Sequence, residues 1–365
     1  MSNIMVQLRQ DRMTHGERLN ALLNYQKPDR IPIIGMGSGF CMINCGYTLT
    51  ELQTDPQKFW NALRWTCEQY RWQPLWKNIA PTVLGSWDFG AKIKMPDSPY
   101  AMAVAVDTPA VKTEDDVWNL EMPNPKTAGA IPKRMEFSKL QAEAGWPITF
   151  LARSPFTMAA DICGVEQFAR WLMKKPQLCE KLIRMALEHT LNVLQYWVDT
   201  FGVEKIVYLM SSPSESNQLF SPRHIQMYAL PYHKKFHQRM GGMGVNKFYF
   251  HICGEQNLNL PYLAEFASSE NSWPHPSILS FGHEVDFENA AKYFPNDIIM
   301  GNIEPVVIQS GTPQQVYELS RICIEKGKKI PGGFILATGC ELPPKAPPYN
   351  VWMMTKAVND FGWYE

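Results

Sequence analysis

"VNKFYFHICG", residues 245–254, is the stretch on which the fold turns. An apolar, β-prone run ends at His251, and Cys253 follows two positions later, beside Gly254. Such a run, closed by a glycine, reads as a buried strand entering a loop. Side chains two apart on a strand share a face, so the imidazole and the thiol point the same way. Two readings stand at this point: a pair of metal ligands at a strand mouth, or two core residues that happen to be neighbours.

Working outward, the same unit recurs. "WPITFLARSPFTMAADICG" (146–164) reads strand, loop, helix, and "VEKIVYLMSSPSES" (203–216) is a strand running into a polar loop. "SILSFGHEVDFENAAKYF" (277–294), "DIIMGNIEP" (297–305) and "GGFILATGC" (332–340) repeat the pattern, with helical periodicity between them. The segment 176–202 is a long amphipathic helix stopped by Gly202. Each strand end carries a chemically distinctive residue: Arg153, Ser211, His251 with Cys253, Glu284, Asn302 and Cys340. Alternation of this kind, at roughly eight units in 365 residues, predicts an α/β (β/α)8 barrel, whose functional side chains sit on the loops after the strands. The expected organisation is one domain over 1–365, with N-terminal helices at about 1–28 and an insertion at about 75–135. In "RIPIIGMGSGF" (30–40) the glycines do not follow the dinucleotide fingerprint, because Phe40 stands where its last glycine belongs.

Composition excludes several classes. The formal net charge is zero, which argues against a nucleic-acid binder. No apolar run is long enough to span a bilayer, and the polar N-terminus does not read as an export signal, so a cytoplasmic location is expected. The eight cysteines are scattered rather than framed for disulfides. His251, Cys253 and Cys340 come from distant strand ends that a barrel brings to one face. An imidazole and two thiolates form a three-ligand set for zinc, with a fourth position left for water or substrate. The remaining six cysteines read as small core hydrophobes.

"HICGEQN", "IIMGNIEP" and "ATGCELPPKAPPYNVWMMTKAVNDFG" resemble the zinc-containing methyltransferases of the uroporphyrinogen decarboxylase superfamily, in particular the methylcobamide:coenzyme M and O-demethylase groups. "KPDRIPI", "SPFTMAADICG" and "LFSPRHIQMYALPY" extend the likeness along nearly the whole chain in the same order, weakest over about 70–135. The resemblance implies zinc on His251, Cys253 and Cys340. It implies an exchangeable fourth ligand in "LSFGHEVDFENA", the carboxylate of Glu284 or, with the alignment shifted, His283. It implies methyl transfer with a corrinoid (cobalamin) carried on a separate partner protein, a small methylated substrate or thiol acceptor, and is compatible with a homodimer.

The other site residues are placed by position. Glu284 and Glu255 are the catalytic carboxylates, Glu255 because it follows Cys253 and Gly254 directly. Arg153 either binds an anionic group of the substrate or cofactor, or pairs with a carboxylate. Asn302 either contacts a bound group or caps backbone, with Glu304 beside it. Ser211, Ser212 and Asn217 read as loop caps, and Trp87 and Phe156 as core or pocket lining. The aromatic-rich N-terminal half favours demethylation of a methoxylated aromatic, with methyl transfer from corrinoid to thiol as the alternative. Tetrapyrrole decarboxylation is a further alternative, opposed by the absence of arginine in the first strand, "IPIIGMGSGF". A non-enzymatic corrinoid carrier ranks last, since a carrier has no need of an open metal site.

Overall fold

The computed structural model describes residues 8–73, 78–79, 84–100, 104–270 and 272–364. Its strands are β1 (Ile33–Ile34), β2 (Lys92–Lys94), β3 (Ala105–Thr108), β4 (Ile148–Arg153), β5 (Ile206–Ser211), β6 (Phe248–Ile252), β7 (Ile278–Phe281), β8 (Ile298–Ile303) and β9 (Phe334–Thr338). Seven form one sheet in the order β1-β9-β8-β7-β6-β5-β4, every pair parallel. Strands β2 and β3 form a separate antiparallel hairpin inside the expected insertion.

Consecutive parallel strands with helical crossovers curl into a barrel, and the last strand lying beside the first is the mark of that closure. Where eight units were expected, seven barrel strands stand among the described residues. In the sheet order β1 and β4 stand at the two ends. Gln73 N–H donates to Ile33 O at 2.7 Å, and Asn78 Nδ2 donates to Thr149 O at 3.0 Å. Residues 74–77 lie outside the described part.

Alternation along the strands explains the two cores. Val207, Leu209, Tyr249, Ile278, Ile298, Met300, Ile335 and Ala337 pack together in the interior with Met36. Their sequence neighbours Tyr208, Phe250, Leu279, Ile299 and Leu336 belong to the larger cluster shared with the surrounding helices. Strands buried on both faces need apolar residues at every position, which is why β5 and β6 read as continuous hydrophobic runs. Phe156 is fully buried against Phe168 and Phe220, with ring centroids 5.0 and 5.1 Å away, so it is a core residue and lines no pocket. Phe59, Trp60, Tyr70 and Trp72 are likewise buried, which removes them as lining for an aromatic substrate. Gly35 and Gly39 serve close packing: an added Cβ would lie 2.2 Å from Trp72 and 2.8 Å from Pro344.

The helices begin and stop where their ends can be satisfied. The 26-residue helix Pro176–Phe201 opens with proline at its first turn and ends at Gly202, φ 84°. Helix Pro56–Tyr70 is capped by Asp55, whose carboxylate accepts from Lys58 N–H. At the floor of the barrel, before β1, lies a charge network. Fully buried Arg18 binds Asp29 at 2.7 Å, and Asp11 meets Arg30 at 2.7 Å and Arg71 at 2.8 Å. Burial opposes ionisation of Asp11, but Arg30, Arg18 and Arg71 hold its carboxyl down at about 2.

Candidate metal centre

Register across the sheet sets one row of residues at the strand ends: Arg153 pairs with Ser211, Ser211 with His251, and His251 with Ser280. These positions continue the inward-facing series of Leu151, Leu209, Tyr249 and Ile278, so the row tops the apolar plug. It is polar because it is the last layer before the mouth. Neighbours bond along it: Arg153 Nη1 donates to Ser211 Oγ at 2.9 Å, and His251 Nδ1 lies 3.1 Å from Ser280 Oγ.

One step higher, the sheet delivers two sulfurs. Cys253 follows β6 and Cys340 follows β9, strands separated in the sheet by β7 and β8. Cys253 Sγ and Cys340 Sγ are 3.5 Å apart, and a ligand atom from each of His251, Cys253 and Cys340 lies within 4.8 Å of the others. The contact between the two sulfurs, with the neighbouring His251, pulls the Cys340 thiol well below its ordinary range against burial. The same contact, together with burial, pushes Cys253 up. The two thiols are thus coupled, and either sulfur can donate.

Three glycines let the ligand loops converge, each beside a candidate ligand. A Cβ on Gly282 would lie 2.9 Å from Gly254 O, and one on Gly339 would lie 2.7 Å from His283 N. A Cβ on Gly254, φ 72°, would lie 2.8 Å from Ser216 Oγ. The loop between β7 and helix Phe287–Tyr293 is thus wedged between the two cysteine loops. It brings Glu284 close enough for its charge to act on Cys253. Asn302 Nδ2 donates to Gly282 O at 2.9 Å and Val285 O at 2.8 Å, fastening that loop. Glu255 Oε1 accepts from Asn257 N–H and Nδ2, and Asn257 Nδ2 donates to Glu284 O at 3.0 Å. Glu255 therefore supports the Glu284 loop through Asn257.

Among the buried polar atoms at this mouth without a hydrogen-bond partner are His251 Nε2 and Glu284 Oε2. An imidazole nitrogen, two sulfurs and a carboxylate oxygen are all electron-pair donors, and such atoms left unpartnered are costly unless a cation joins them. The donor set therefore fits a soft divalent metal.

Of the other candidates, Arg153 stands 3.8 Å from Asp161 as well as bonding Ser211. Burial raises Asp161 to about 7, opposed by Arg153. His283 lies beside Glu284 and Glu304 at the rim. Ser212 N–H donates to His251 O, and Asn217 Oδ1 accepts from Leu258 N–H, so both fasten loops. Ser280 was missed in the sequence; its only signal was its place at the end of "ILS", two residues before Gly282. The glycine collar was missed too, although every member is one or two positions from a candidate ligand. Of the remaining cysteines five are buried and Cys45 is half-buried, and none forms a disulfide. Among the described residues no helix is long and apolar enough to cross a membrane.

A curled parallel barrel with a thiolate-rich centre at its C-terminal mouth defines an α/β enzyme-like scaffold. Residues 14–361 match uroporphyrinogen decarboxylase (URO-D), and the chain belongs to that family. Among similar proteins, a methylated-thiol–coenzyme M methyltransferase of Methanosarcina mazei is 25% identical over 73% of this chain and 66% of its own length. A methylcobamide:CoM methyltransferase of Methanosarcina acetivorans is 25% identical over 59% of this chain and 58% of its own. The alignments thus span less than two thirds of those relatives. A solved methyltransferase from Methanosarcina mazei superposes with TM-score 0.77 at 22% identity, covering 96% of this chain and 99% of the other; it establishes the fold.

Proposed function

We propose that the chain is a zinc-dependent methyltransferase that moves a methyl group between a small substrate and the cobalt of a corrinoid held by a separate protein. The observation that carries this reading is the convergence of His251 Nε2, Cys253 Sγ and Cys340 Sγ at the barrel mouth, with Nε2 unpartnered. The names of the relatives support the methyl-transfer chemistry and the corrinoid partner. Thiol is favoured as the small substrate, because the relatives are named for thiol chemistry and the buried aromatic residues no longer speak for an aryl ether. Demethylation of a methoxylated aromatic is the competing outcome of the test below.

His251, Cys253 and Cys340 would hold the zinc, with Glu284 as an exchangeable fourth ligand. When bound, the metal supplies Lewis acidity that keeps a thiol ionised or polarises an ether oxygen. The protein's own contribution is orientation. Ser280 fixes the ring of His251 through Nδ1, leaving Nε2 to point at the sulfurs. Asn302 and Glu255 support the loop that carries Glu284. Arg153, buffered by Asp161 and Ser211, offers positive charge to an anionic end of the substrate. The apolar plug of Tyr249, Met36 and Met300 closes the site from below, so substrate and corrinoid approach from one side.

Metal analysis and a methyl-transfer panel test the reading together. One zinc per chain is expected, with methyl exchange between methylcobalamin and thiols. Turnover of methoxyaromatics with Co(I) cobalamin, and none with thiols, would move the substrate to the ether class. A chain that binds no stoichiometric zinc refutes the proposal.

A further inference from the structure

The loop carrying Glu284 is fixed in its backbone and undecided in one side chain. Carbonyls of Gly282, Glu284 and Val285 are all held, by Asn302 and Asn257, and Gly339 packs under His283 N. Against this rigid frame the Glu284 carboxylate keeps one buried oxygen without a hydrogen bond. That oxygen, Oε2, lies 3.3 Å from His283 Nδ1, within ion-pair distance but unaligned as a hydrogen bond. The far nitrogen of the same ring, Nε2, lies 4.0 Å from Glu304 Oε1. His283 is thus a ring held between two carboxylates, one beside the metal-ligating cluster and one at the rim.

A carboxylate that leaves a cation in a half-buried cleft needs another donor, because an unpartnered charge there is expensive. We propose that His283, oriented by Glu304, is the holding station for the Glu284 carboxylate when an incoming thiol replaces it at the His251–Cys253–Cys340 centre. The inference rests on the zinc and thiol reading above and adds what makes the exchange reversible. One carboxylate leaves as one thiolate arrives, so the charge of the centre is unchanged and the proton of the thiol passes to buffer. His283 is a positioning residue here: it acts on the fourth ligand and touches no reacting atom. Its effect is on how readily the centre accepts a thiol. A backbone held at three carbonyls confines the movement to side-chain torsions of Glu284, for which the neighbouring ring is already in place.

The test uses the full chain with Co(II) in the centre, whose visible spectrum reports its ligands, titrated with 2-mercaptoethanol. His283→Ala is expected to keep one metal per chain and to bind the thiol about tenfold more weakly, the loss of one hydrogen bond to a charged group. His283→Gln, which keeps a donor, is expected to recover part of that loss. Glu284→Ala is expected to bind the thiol more tightly than the parent, and adding His283→Ala to it should change nothing further. A purely structural role for His283 would weaken binding equally in both backgrounds, and that result overturns the proposal. So does unchanged thiol affinity in His283→Ala at full metal content. A parent chain that takes up no metal overturns the functional reading, and this proposal with it.

Discussion

The two ends of this barrel are built from similar numbers of polar side chains and solve opposite problems. At the floor, Arg18, Arg30 and Arg71 meet Asp11 and Asp29, donors facing acceptors. At the mouth, ligand atoms of His251, Cys253 and Cys340 gather within 4.8 Å of one another, and His251 Nε2 and the nearby Glu284 Oε2 lack hydrogen-bond partners. The floor brings opposite charges together and leaves one buried donor, Arg18 Nη1, without a partner. A cluster of lone pairs is complete only with a cation. The floor is therefore a stability device and the mouth a binding device, as barrels generally divide their ends.

The sharpest way to break the contrast is at the mouth. Cys340→Ala should lose stoichiometric metal and reduce methyl transfer to background, while its apo form unfolds in urea close to the apo parent; metal content, turnover and a denaturation curve read all three. Next comes the floor. Asp29→Ala removes the nearest partner of the fully buried Arg18 guanidinium, leaving it Asp11 at 3.4 Å, and should destabilise the fold by about 3 kcal/mol in urea unfolding, with metal content and turnover per folded molecule retained. A metal-depleted Asp29→Ala variant would mean that the two ends are coupled.

Smaller effects sharpen the same distinction. Asp11 titrates near 2 in the fold against an ordinary value of 3.8, so its ion pairs stabilise the protein above pH 4. That contribution, about 2 kcal/mol, fades as pH falls from 4 toward 2, because the depressed carboxyl must then be protonated. Asp11→Asn should accordingly be less stable than the parent at pH 7, with the gap closing in urea midpoints taken down to pH 2. Ser280→Ala removes the partner of His251 Nδ1 without touching a ligand atom. Chelator competition should show metal binding weakened by about 10–100-fold, with the unfolding midpoint of the apo protein nearly unchanged.

Much of this was legible because barrels write themselves in units. Strand–helix alternation placed Arg153, Ser211 and His251 with Cys253 at strand ends, and chain order placed Cys340 at another end. The first strand was less legible: "RIPII" yields only Ile33–Ile34 in regular pairing, since Pro32 lacks an N–H to donate and Gly35 packs under Trp72. Of the two readings left open for Asn302, the structure shows backbone capping, at Gly282 O and Val285 O, while the role of Glu255 could not be read because its partner Asn257 is a loop residue with no periodicity. The aromatic residues of the N-terminal half misled because composition counts rings without saying which way they face.

By itself, the sequence determined the barrel class and singled out His251, Cys253 and Cys340 as candidates, because strand alternation and residue chemistry are local properties that survive without coordinates. Only the tertiary structure decided that the two cysteine sulfurs meet at 3.5 Å, that Ser280 lies at hydrogen-bond distance from the imidazole, and that Glu284 Oε2 lies beside His283. Those facts depend on strands that are neighbours in the sheet but distant in the chain, and on glycines whose missing side chains let the loops meet.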